Sequence, residues 1–371
     1  MARILYALSG QGRGHRSRAV AMAETLRQRG HIVRFASSGD AAGALERQGE
    51  AVLRTPALVQ VLIRNRVDLV ATVRANAATV AATPAHVRAL SDALAAWTPD
   101  LVVTDFEPFV PRAAARLGLP VVSLDHQHIL TETRLDVPKA HRRAVFWAQW
   151  PVHALAPRHA DHRIVSSFFA APVRHPERTT LVGPILRRAV REAIPTAGEH
   201  LLVYTNDPTL GPALLEALRL IHVPARIYGV APAAGLPNTL TFGPSNDDAA
   251  FLADLAACRA VVSTAGHTLL SEALYLGKPV LALPNGGLFE QTLNALQIER
   301  LGAGLSLNGR APEAADLAAF LGRTSSFTPQ SALLPGHDEA ANVLEAALAH
   351  AHRPLRAPLS PRLVRREVVV S

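Results

Sequence analysis

Cysteine and lysine are scarce in this chain of 371 residues. Cys258 is the only cysteine, which excludes an intramolecular disulfide and predicts a reducing, cytoplasmic compartment. Lys139 and Lys278 are the only lysines, so arginine carries nearly all of the positive charge behind a net charge of +8. Because the arginines are scattered along helical patterns and aromatic residues make up only 5% of the chain, we expect no nucleic-acid partner.

Long hydrophobic runs are also missing. No segment approaches the roughly 20 apolar residues that span a bilayer, and the first apolar run, residues 3–8, predicts a strand rather than a signal peptide. In residues 139–159, basic residues flank Phe146, Trp147 and Trp150. This composition is typical of a helix on anionic headgroups, and it equally fits a core helix. Peripheral contact with the inner face of a membrane is therefore one of two interpretations.

The remaining composition is that of a globular protein, with 49% hydrophobic and 18% charged residues. Short β-branched runs alternate with longer alanine-rich helical patterns, which predicts an α/β protein with parallel sheets covered on both faces. A Gly-Pro pair and a charged stretch interrupt the alternation after residue 182, and the pattern then starts again. We expect an N-terminal acceptor-binding lobe at 1–183, a C-terminal nucleotide-sugar-binding lobe at 184–353, and a basic, Pro-rich tail at 354–371.

Strands are predicted near residues 4–8, 31–36, 101–104 and 120–124 of the first lobe and near 201–204, 226–228, 239–242, 260–263 and 279–282 of the second. Ligands of such sheets bind beyond the carboxyl ends of the strands. Two doubly wound, Rossmann-like lobes that face each other would therefore form one central cleft, lined by the loops that follow the strands.

The first such loop contains Gly10, Gly12, Gly14 and His15, between the first strand and the first helix. A dinucleotide fingerprint needs a third glycine where His15 stands, and a Walker loop needs a Gly-Lys-Ser/Thr that is absent. The glycines would let the backbone approach a phosphate or sugar closely. His15, at a positive helix end that favours neutral imidazole, is a candidate general base; phosphate or acceptor contact and helix capping are the alternatives.

The second loop follows a predicted strand and runs through Ala265, Gly266, His267 and Thr268 into a helix. Unpaired amides at a helix start suit a diphosphate, and Glu272 follows within the helix, where ribose hydroxyls are in reach. Another loop and helix follow, with Gly287, Glu290 and Gln291. We expect the last two to face the hydroxyls of a donor sugar.

These motifs resemble those of the inverting, two-lobed (GT-B fold) glycosyltransferases, in particular the branch with the lipid-linked N-acetylglucosaminyltransferase of peptidoglycan synthesis and its uncharacterised bacterial and archaeal relatives. The resemblance covers most of the chain and is strongest at residues 265–272 and 291–295, weaker at 12–15. It implies that Glu272 binds ribose, that the Gly266 turn binds the diphosphate, and that Glu290 and Gln291 contact the donor sugar. The first loop and the acceptor lobe depart from the peptidoglycan enzyme, so its donor and acceptor do not carry over.

Further candidates follow other strands. On the acceptor side we place Gly12, Arg13, Glu107, His126 and His128, with Asp105 or Asp125 as the carboxylate that orients His15. A metal site at Asp105, Glu107, His126 and His128 is the rival interpretation. Thr205 and Asn206 are candidates for the donor phosphates, with Gly14 beside them, and Tyr228 and Phe251 for the base.

The sequence thus predicts a hexosyltransferase that uses a nucleotide diphosphate sugar, with UDP as the expected carrier, and transfers a hexose or N-acetylhexosamine with inversion, without metal or cofactor. The acceptor is a glycan, glycolipid or small molecule. A sugar-nucleotide 2-epimerase of the same fold and a non-catalytic sugar-nucleotide-binding protein are the alternatives.

Overall fold

The computed structural model describes residues 1–63, 66–156, 160–205, 207–244, 247–285, 287–328 and 333–349. The predicted tail at 354–371 lies outside them. Two separate parallel sheets carry the fold, with seven strands in the first and six in the second. The two-lobed α/β architecture predicted from the alternation of strands and helices is confirmed.

The first sheet has the order β3-β2-β1-β6-β7-β8-β9. Its strands are β1 (Arg3–Leu8), β2 (Ile32–Ser37), β3 (Val52–Arg54), β6 (Leu101–Asp105), β7 (Val121–Asp125), β8 (His162–Ser166) and β9 (Thr179–Val182), and a small hairpin, β4 (Leu62–Ile63) with β5 (Arg66–Val67), stands apart. Its helices are α1 (Arg13–Gln28), α2 (Gly39–Arg47), α3 (Leu69–Ala81), α4 (Thr83–Trp97), α5 (Val110–Arg116), α6 (Ile129–Glu132) and α7 (Arg142–Leu155), with a 3-10 turn at Lys139–His141.

The second sheet has the order β12-β11-β10-β13-β14-β15. Its strands are β10 (Leu201–Tyr204), β11 (Ala225–Tyr228), β12 (Leu240–Phe242), β13 (Ala260–Ser263), β14 (Val280–Ala282) and β15 (Gly304–Ser306). The helices that follow β9 along the chain are α8 (Arg188–Glu192), α9 (Gly211–Ile221), α10 (Asp248–Ala257), α11 (His267–Tyr275), α12 (Phe289–Arg300), α13 (Ala314–Gly322) and α14 (His337–Ala349), with a 3-10 turn at Thr324–Ser326.

The strand order reverses once in each sheet. In the first sheet it does so between β1 and β6, where Leu8 lies beside Asp105, and in the second between β10 and β13, where Tyr204 lies beside Ser263. The connections on either side of such a point diverge and leave a crevice at the carboxyl ends of the strands. Both predicted glycine loops begin at these two points.

The last described helix does not belong to the second lobe, although the expected lobe boundary was residue 353. Ala340, Leu344 and Ala347 of α14 are buried against the first sheet together with residues of α1. Arg29 adds ion pairs to Asp338 and Glu345 of this helix. The sequence of an amphipathic helix shows which face is buried but not which lobe buries it. The sequence pattern therefore could not reveal that the chain returns to the first lobe at α14.

The chain consequently crosses between the lobes twice, once after β9 and once before α14. The two crossings touch: the amide of Gly336 donates to the Pro184 carbonyl at 3.0 Å, and a Cβ on Gly336 would lie 2.2 Å from the Gly183 carbonyl oxygen. The imidazole Nε2 of His337 lies 2.7 Å from the Leu186 carbonyl oxygen. The paired glycines let the two backbones approach more closely than any side chain would permit.

Candidate active site

The two glycine loops face each other across the seam between the lobes. A Cβ on Gly14 of α1 would lie only 2.8 Å from Oγ1 of Thr268 on α11. Gly12, with a φ of 89°, turns the chain into α1, and Arg13 is exposed at its first residue. Farther along the seam, Arg16 lies 3.5 Å from the carboxylate of Asp248 in the second lobe. The fold therefore brings the two glycine loops, one from each lobe, to one place.

Where the two glycine loops meet, His15 and Asp105 form a hydrogen-bonded pair. The imidazole Nδ1 lies 2.7 Å from Oδ1 of Asp105, the last residue of β6. The carboxylate is fully buried, and the imidazole side chain keeps 14% of its surface exposed. A carboxylate on Nδ1 holds the proton there, which leaves Nε2 unprotonated and available to accept a proton.

Two residues around this pair were not predicted. The buried guanidinium of Arg18 donates from Nε to Oδ2 and from a terminal nitrogen to Oδ1 of Asp105, both at 2.8 Å. Phe106 has a φ of 60°, a conformation that costs a non-glycine residue on the order of 1 kcal/mol or more, and its ring lies parallel to that of His15 at 6.4 Å. In sequence, a buried arginine of a helix cannot be told from a solvent-exposed one. No sequence pattern singled out Phe106 as a residue of the site.

On the opposite side of the seam, α11 begins directly after Gly266 and has no side-chain cap among the described residues. Ala265 is buried, and its carbonyl accepts a hydrogen bond from Asn294 of α12. The N-cap residue Gly266 thus offers no side chain to the first amides of α11, those of His267 and Thr268. Such an end attracts anions through its free N–H groups and its dipole.

Glu272 is the sixth residue of α11 and is buried. Its two carboxylate oxygens accept hydrogen bonds from Nε and a terminal nitrogen of Arg187 at 2.7 and 2.8 Å. Burial alone would lower the pKa of Arg187, but the hydrogen bonds and charge of Glu272 outweigh it and raise the pKa. Glu272 is thus not presented freely to a ribose: Arg187, which lies on the first crossing and was not predicted, holds it.

The first turn of α12 contributes one half-buried residue, Glu290, and one buried residue, Gln291. Glu290 extends toward the first lobe, with an oxygen 3.5 Å from the side-chain nitrogen of Gln127. Gln291 is buried, and its side-chain oxygen accepts from the amide of Asn285, whose own side chain accepts from the amide of Gly287. Glu290 therefore faces the seam, and Gln291 supports the loop instead of facing a sugar.

His126 and His267 close the seam from the two lobes. Their rings stack at 3.7 Å, and both are buried. Nδ1 of His126 lies 2.8 Å from the Ser166 carbonyl oxygen and Nε2 lies 3.2 Å from Oδ1 of Asn294. Burial lowers the pKa of His126, and for His267 burial and the charges nearby hold the pKa well below its ordinary value. This stack joins the lobes, whereas the sequence placed His126 among the acceptor contacts and His267 among the donor contacts.

The remaining acceptor-side carboxylates point elsewhere. Asp125 does not reach His15; its oxygens bind Ser123 and His128, and although burial would raise its pKa, the interactions with His128 hold the pKa well below its ordinary value. His128 is buried in the same pair. Glu107 is buried at the start of α5, where its Oε2 accepts from the amides of Phe109 and Val110. Of the two carboxylates expected to orient His15, only Asp105 does so.

The weaker donor candidates are mostly internal. Thr205 is buried and its hydroxyl accepts from the amide of Asp207, which closes its own turn. Tyr228 is buried, donates to Asp254 at 2.6 Å and packs edge-on against Phe251 in the core. Asn206 lies outside the described residues. Thr205 and Tyr228 thus pack inside the second lobe, and Phe251 is half-buried beside Tyr228.

The rival metal interpretation has no geometric support in the described part of the chain. The four side chains that it invoked, Asp105, Glu107, His126 and His128, are each engaged by a different partner. Among the described residues, no group of three or more histidine, cysteine, aspartate or glutamate side chains is arranged to hold a metal ion.

The structure combines two separate parallel sheets, a histidine oriented by a carboxylate on one lobe, and a helix start without a side-chain cap on the other. These features are those of the two-lobed (GT-B fold) glycosyltransferases. The chain belongs to glycosyl transferase family 1, whose family model matches residues 2–325. This match confirms the glycosyltransferase that the glycine loops predicted.

Individual relatives agree. An uncharacterised glycosyltransferase of Methanosarcina mazei is 24% identical over 344 residues, covering 84% of this chain and 86% of the relative. The structure of MurG from Acinetobacter baumannii has a TM-score of 0.61 at 15% identity and covers 93% of this chain and 100% of that one. LpCGTa, solved in complex with UDP, has a TM-score of 0.62 at 17% identity, with 95% of each chain covered. These solved structures share the fold.

Proposed function

We propose that this glycosyltransferase transfers a hexose or N-acetylhexosamine from a nucleotide diphosphate sugar, with UDP as the expected carrier, to an acceptor hydroxyl with inversion and without a metal ion. The observation that supports the proposal is the hydrogen bond of 2.7 Å between His15 and Asp105, placed opposite the uncapped start of α11. One side of the seam can take a proton and the other can hold an anion.

The donor side would hold the diphosphate at the amides of His267 and Thr268. Each interaction of an anion with such a helix end contributes roughly 0.3 to 1 kcal/mol, and up to about 2 when partly buried. Arg187 supplies a positive side chain beside the same helix, at its contact with Glu272. Glu290, which faces the first lobe, is then the group nearest to the hydroxyls of a sugar held between the lobes.

The acceptor side would supply the base. In one step, Nε2 of His15 takes the proton of the acceptor hydroxyl, the hydroxyl oxygen bonds to the anomeric carbon, and the bond from that carbon to the phosphate oxygen breaks. The electron pair of that bond leaves with the nucleotide diphosphate, whose charge the α11 helix end stabilises. Attack opposite the leaving group inverts the anomeric centre. The imidazolium formed is stabilised by the buried charge of Asp105.

A binding and transfer experiment tests the proposal. Thermal unfolding would be followed with uridine, thymidine, guanosine and adenosine diphosphates, because a ligand at 100 times its Kd stabilises the folded state by about 2.7 kcal/mol. The best-binding carrier would then be offered as its sugar conjugates with an acceptor panel, with and without EDTA, and the product anomer determined by NMR. We expect an inverted glycoside in both conditions. A donor that is isomerised without transfer, or activity lost with EDTA, would contradict the proposal.

A contact with an anionic, cytoplasmic membrane surface is part of the same proposal. No described helix has the length and hydrophobicity needed to cross a bilayer. On α7, however, Phe146, Trp147 and Trp150 are 67%, 61% and 65% exposed, and the neighbouring Arg142 and Arg143 are exposed as well. Large apolar side chains beside basic ones fit a headgroup layer of negative charge.

Vesicle pelleting checks this contact. The parent should pellet with vesicles of anionic lipid, less so at high salt, and the double variant Trp147→Ala/Trp150→Ala should remain in the supernatant. Ile194→Ala, which removes an exposed apolar side chain elsewhere, should behave like the parent. A parent that does not pellet refutes the membrane contact and leaves the transfer reaction untouched.

A further inference from the structure

Arg18 is a buried cation in contact with the His15–Asp105 pair. Its terminal nitrogen lies 2.8 Å from the same Asp105 oxygen that His15 contacts, and 3.4 Å from Nδ1 of His15 itself. Only 4% of Arg18 is exposed, and Asp105 is fully buried. Because Nδ1–H and the guanidinium both donate to one oxygen, Arg18 and His15 share a single negative charge.

We propose that Arg18 is a positioning residue that sets the proton affinity of His15 by cancelling the charge of Asp105. In a histidine–carboxylate pair alone, protonation takes the cluster from a charge of −1 to 0. Here the uncharged imidazole belongs to a cluster of net charge 0, and protonation takes that cluster to +1. Charge creation in a buried site is unfavourable, so the guanidinium favours the unprotonated base at neutral pH.

The other groups around the cluster leave this balance unchanged. Burial and the charge of Asp105 raise the pKa of Tyr6 on β1 well above its ordinary value, so the phenol is neutral. Asp125 on β7 is ionised but paired with His128. His126 and His267, which close the seam, have lowered pKa values and are neutral. Arg18 itself stays charged, because the pull of Asp105 outweighs its burial and raises its pKa.

The same contacts also fix the carboxylate. With Oδ2 bound by Nε and Oδ1 bound by a terminal nitrogen, Asp105 is gripped by the planar fork of one guanidinium. Oδ1 of the carboxylate held in this way also faces Nδ1 of His15, which favours the tautomer with the proton on Nδ1. Lysine would supply the charge without the fork, which separates the two effects.

NMR titration of His15, assigned by its loss in His15→Asn, tests the inference without any need for activity. In Arg18→Met the ring should titrate at a pH higher by about 1 unit or more, the shift that a charge a few ångströms away produces. Arg18→Lys should titrate near the parent. Arg27→Met, which removes an exposed arginine from the same helix, should not move the titration. An Arg18→Met titration that matches the parent overturns the proposal.

Arg18→Met leaves the buried carboxylate of Asp105 without its arginine partner and can prevent folding. A second pair of variants therefore measures the effect of Arg18 on the titration of His15 in another way. Asp105→Asn and Asp105→Asn/Arg18→Met contain no buried anion at this position. His15 should titrate higher in the double variant than in Asp105→Asn, again by about 1 unit or more. Equal titrations would overturn the inference just as clearly.

This inference rests on the proposed role of His15 as base, and kinetics link the two. Once transfer is measured, the acidic limb of the pH profile of kcat/KM should move to higher pH in Arg18→Met and stay in place in Arg18→Lys. A protein that transfers no sugar while the titration shifts as expected contradicts the proposed function but not the role of Arg18. If the enzyme transfers sugar but the titration of His15 is the same in Arg18→Met as in the parent, only the proposed role of Arg18 is contradicted.

Discussion

Nε2 of His15 is the single atom on which the proposed chemistry depends. Replacing His15 by alanine should lower kcat by about 10²- to 10⁴-fold, the usual contribution of a general base, because the acceptor hydroxyl would lose its proton only to water. Nucleotide affinity, measured by calorimetry, should change little. His175→Ala removes an exposed histidine and is the matched control. A His15→Ala enzyme with the turnover of the parent would remove His15 from this role.

Glu107 gives the molecule a pH-dependent stability. Burial raises its pKa from 4.5 to about 7, against the lowering effect of the amides of Val110 and Phe109. The folded protein therefore binds a proton that the unfolded chain releases between those two values, so stability falls as pH rises through this window and is level above it. A raised pKa of this size corresponds to about 3 kcal/mol.

Glu107→Gln should remove this decline, because an amide oxygen can accept from the same two backbone amides without taking on a charge. The free energy of unfolding of the variant, measured in urea, should increase relative to that of the parent from pH 5 to pH 8. Glu177→Gln, a change at an exposed carboxylate, should follow the parent throughout. Parallel curves for Glu107→Gln and the parent would show that the carboxyl titrates normally.

Individual residues differ in how much the sequence discloses about them. His15 could be singled out as a candidate because the glycines that precede it, at positions 10, 12 and 14, are typical of a loop that serves a ligand. Asp105 and Asp125 could not be told apart, since both end buried strands and only the strand order puts one of them beside β1. Arg18 and Arg187 lack any local pattern, because their partners are 87 and 85 residues away along the chain.

Among the larger elements, the ion pair of Arg187 with Glu272 ties the first crossing to α11. Removing one partner of a buried pair typically costs about 3 to 5 kcal/mol, because the other charge is left without compensation. Arg187→Met should therefore lower the thermal unfolding temperature strongly, and Arg187→Met/Glu272→Gln should regain most of the loss. Arg188→Met, at an exposed neighbour, is the control.

The same variants test whether Glu272 contacts a nucleotide. If ribose binds its carboxylate, the affinity for a nucleoside diphosphate should be lower in Arg187→Met/Glu272→Gln than in Arg187→Met, measured at a temperature where both are folded. Equal affinities would mean that Glu272 only anchors Arg187 and that the ribose is held elsewhere.

Long β-branched runs predicted the central strands of both sheets, because such runs suit strands buried on two faces. One edge strand of each sheet was missed, β3 in the first and β15 in the second, whereas the edge strand β12 was predicted near residues 239–242. β3 and β15 have only three residues each, and β15 contains a glycine. α3 was missed as well, since Leu69, Val70 and Val73 lie on an exposed face that gives no amphipathic pattern. Elements that bury little surface leave little trace in the sequence.

For the molecule as a whole, the contact of the two crossings leaves no room for a side chain at Gly336. A methyl group on Gly336 would lie 2.2 Å from the Gly183 carbonyl oxygen, so Gly336→Ala must push the crossings apart. Overpacking of this kind costs typically about 1 to 3 kcal/mol. The variant should unfold at a lower temperature, and its radius of gyration in solution should exceed that of the parent.

Gly322→Ala is the matched control, because a Cβ there meets nothing within 4 Å. It should be neutral or slightly stabilising, since alanine restricts the unfolded chain more than glycine does. If both alanine variants unfold together with the parent, the crossings are looser than their distances indicate.

The double passage of the chain also limits how the lobes can move. A single linker would let one lobe rotate about any axis relative to the other. Here two neighbouring backbone segments connect the lobes, and the amide of Gly336 donates a hydrogen bond from one segment to the Pro184 carbonyl of the other. Together they act as a hinge. Two crossings restrain the relative rotation of the lobes more than one linker would, and this restraint favours a constant placement of His15 opposite the start of α11.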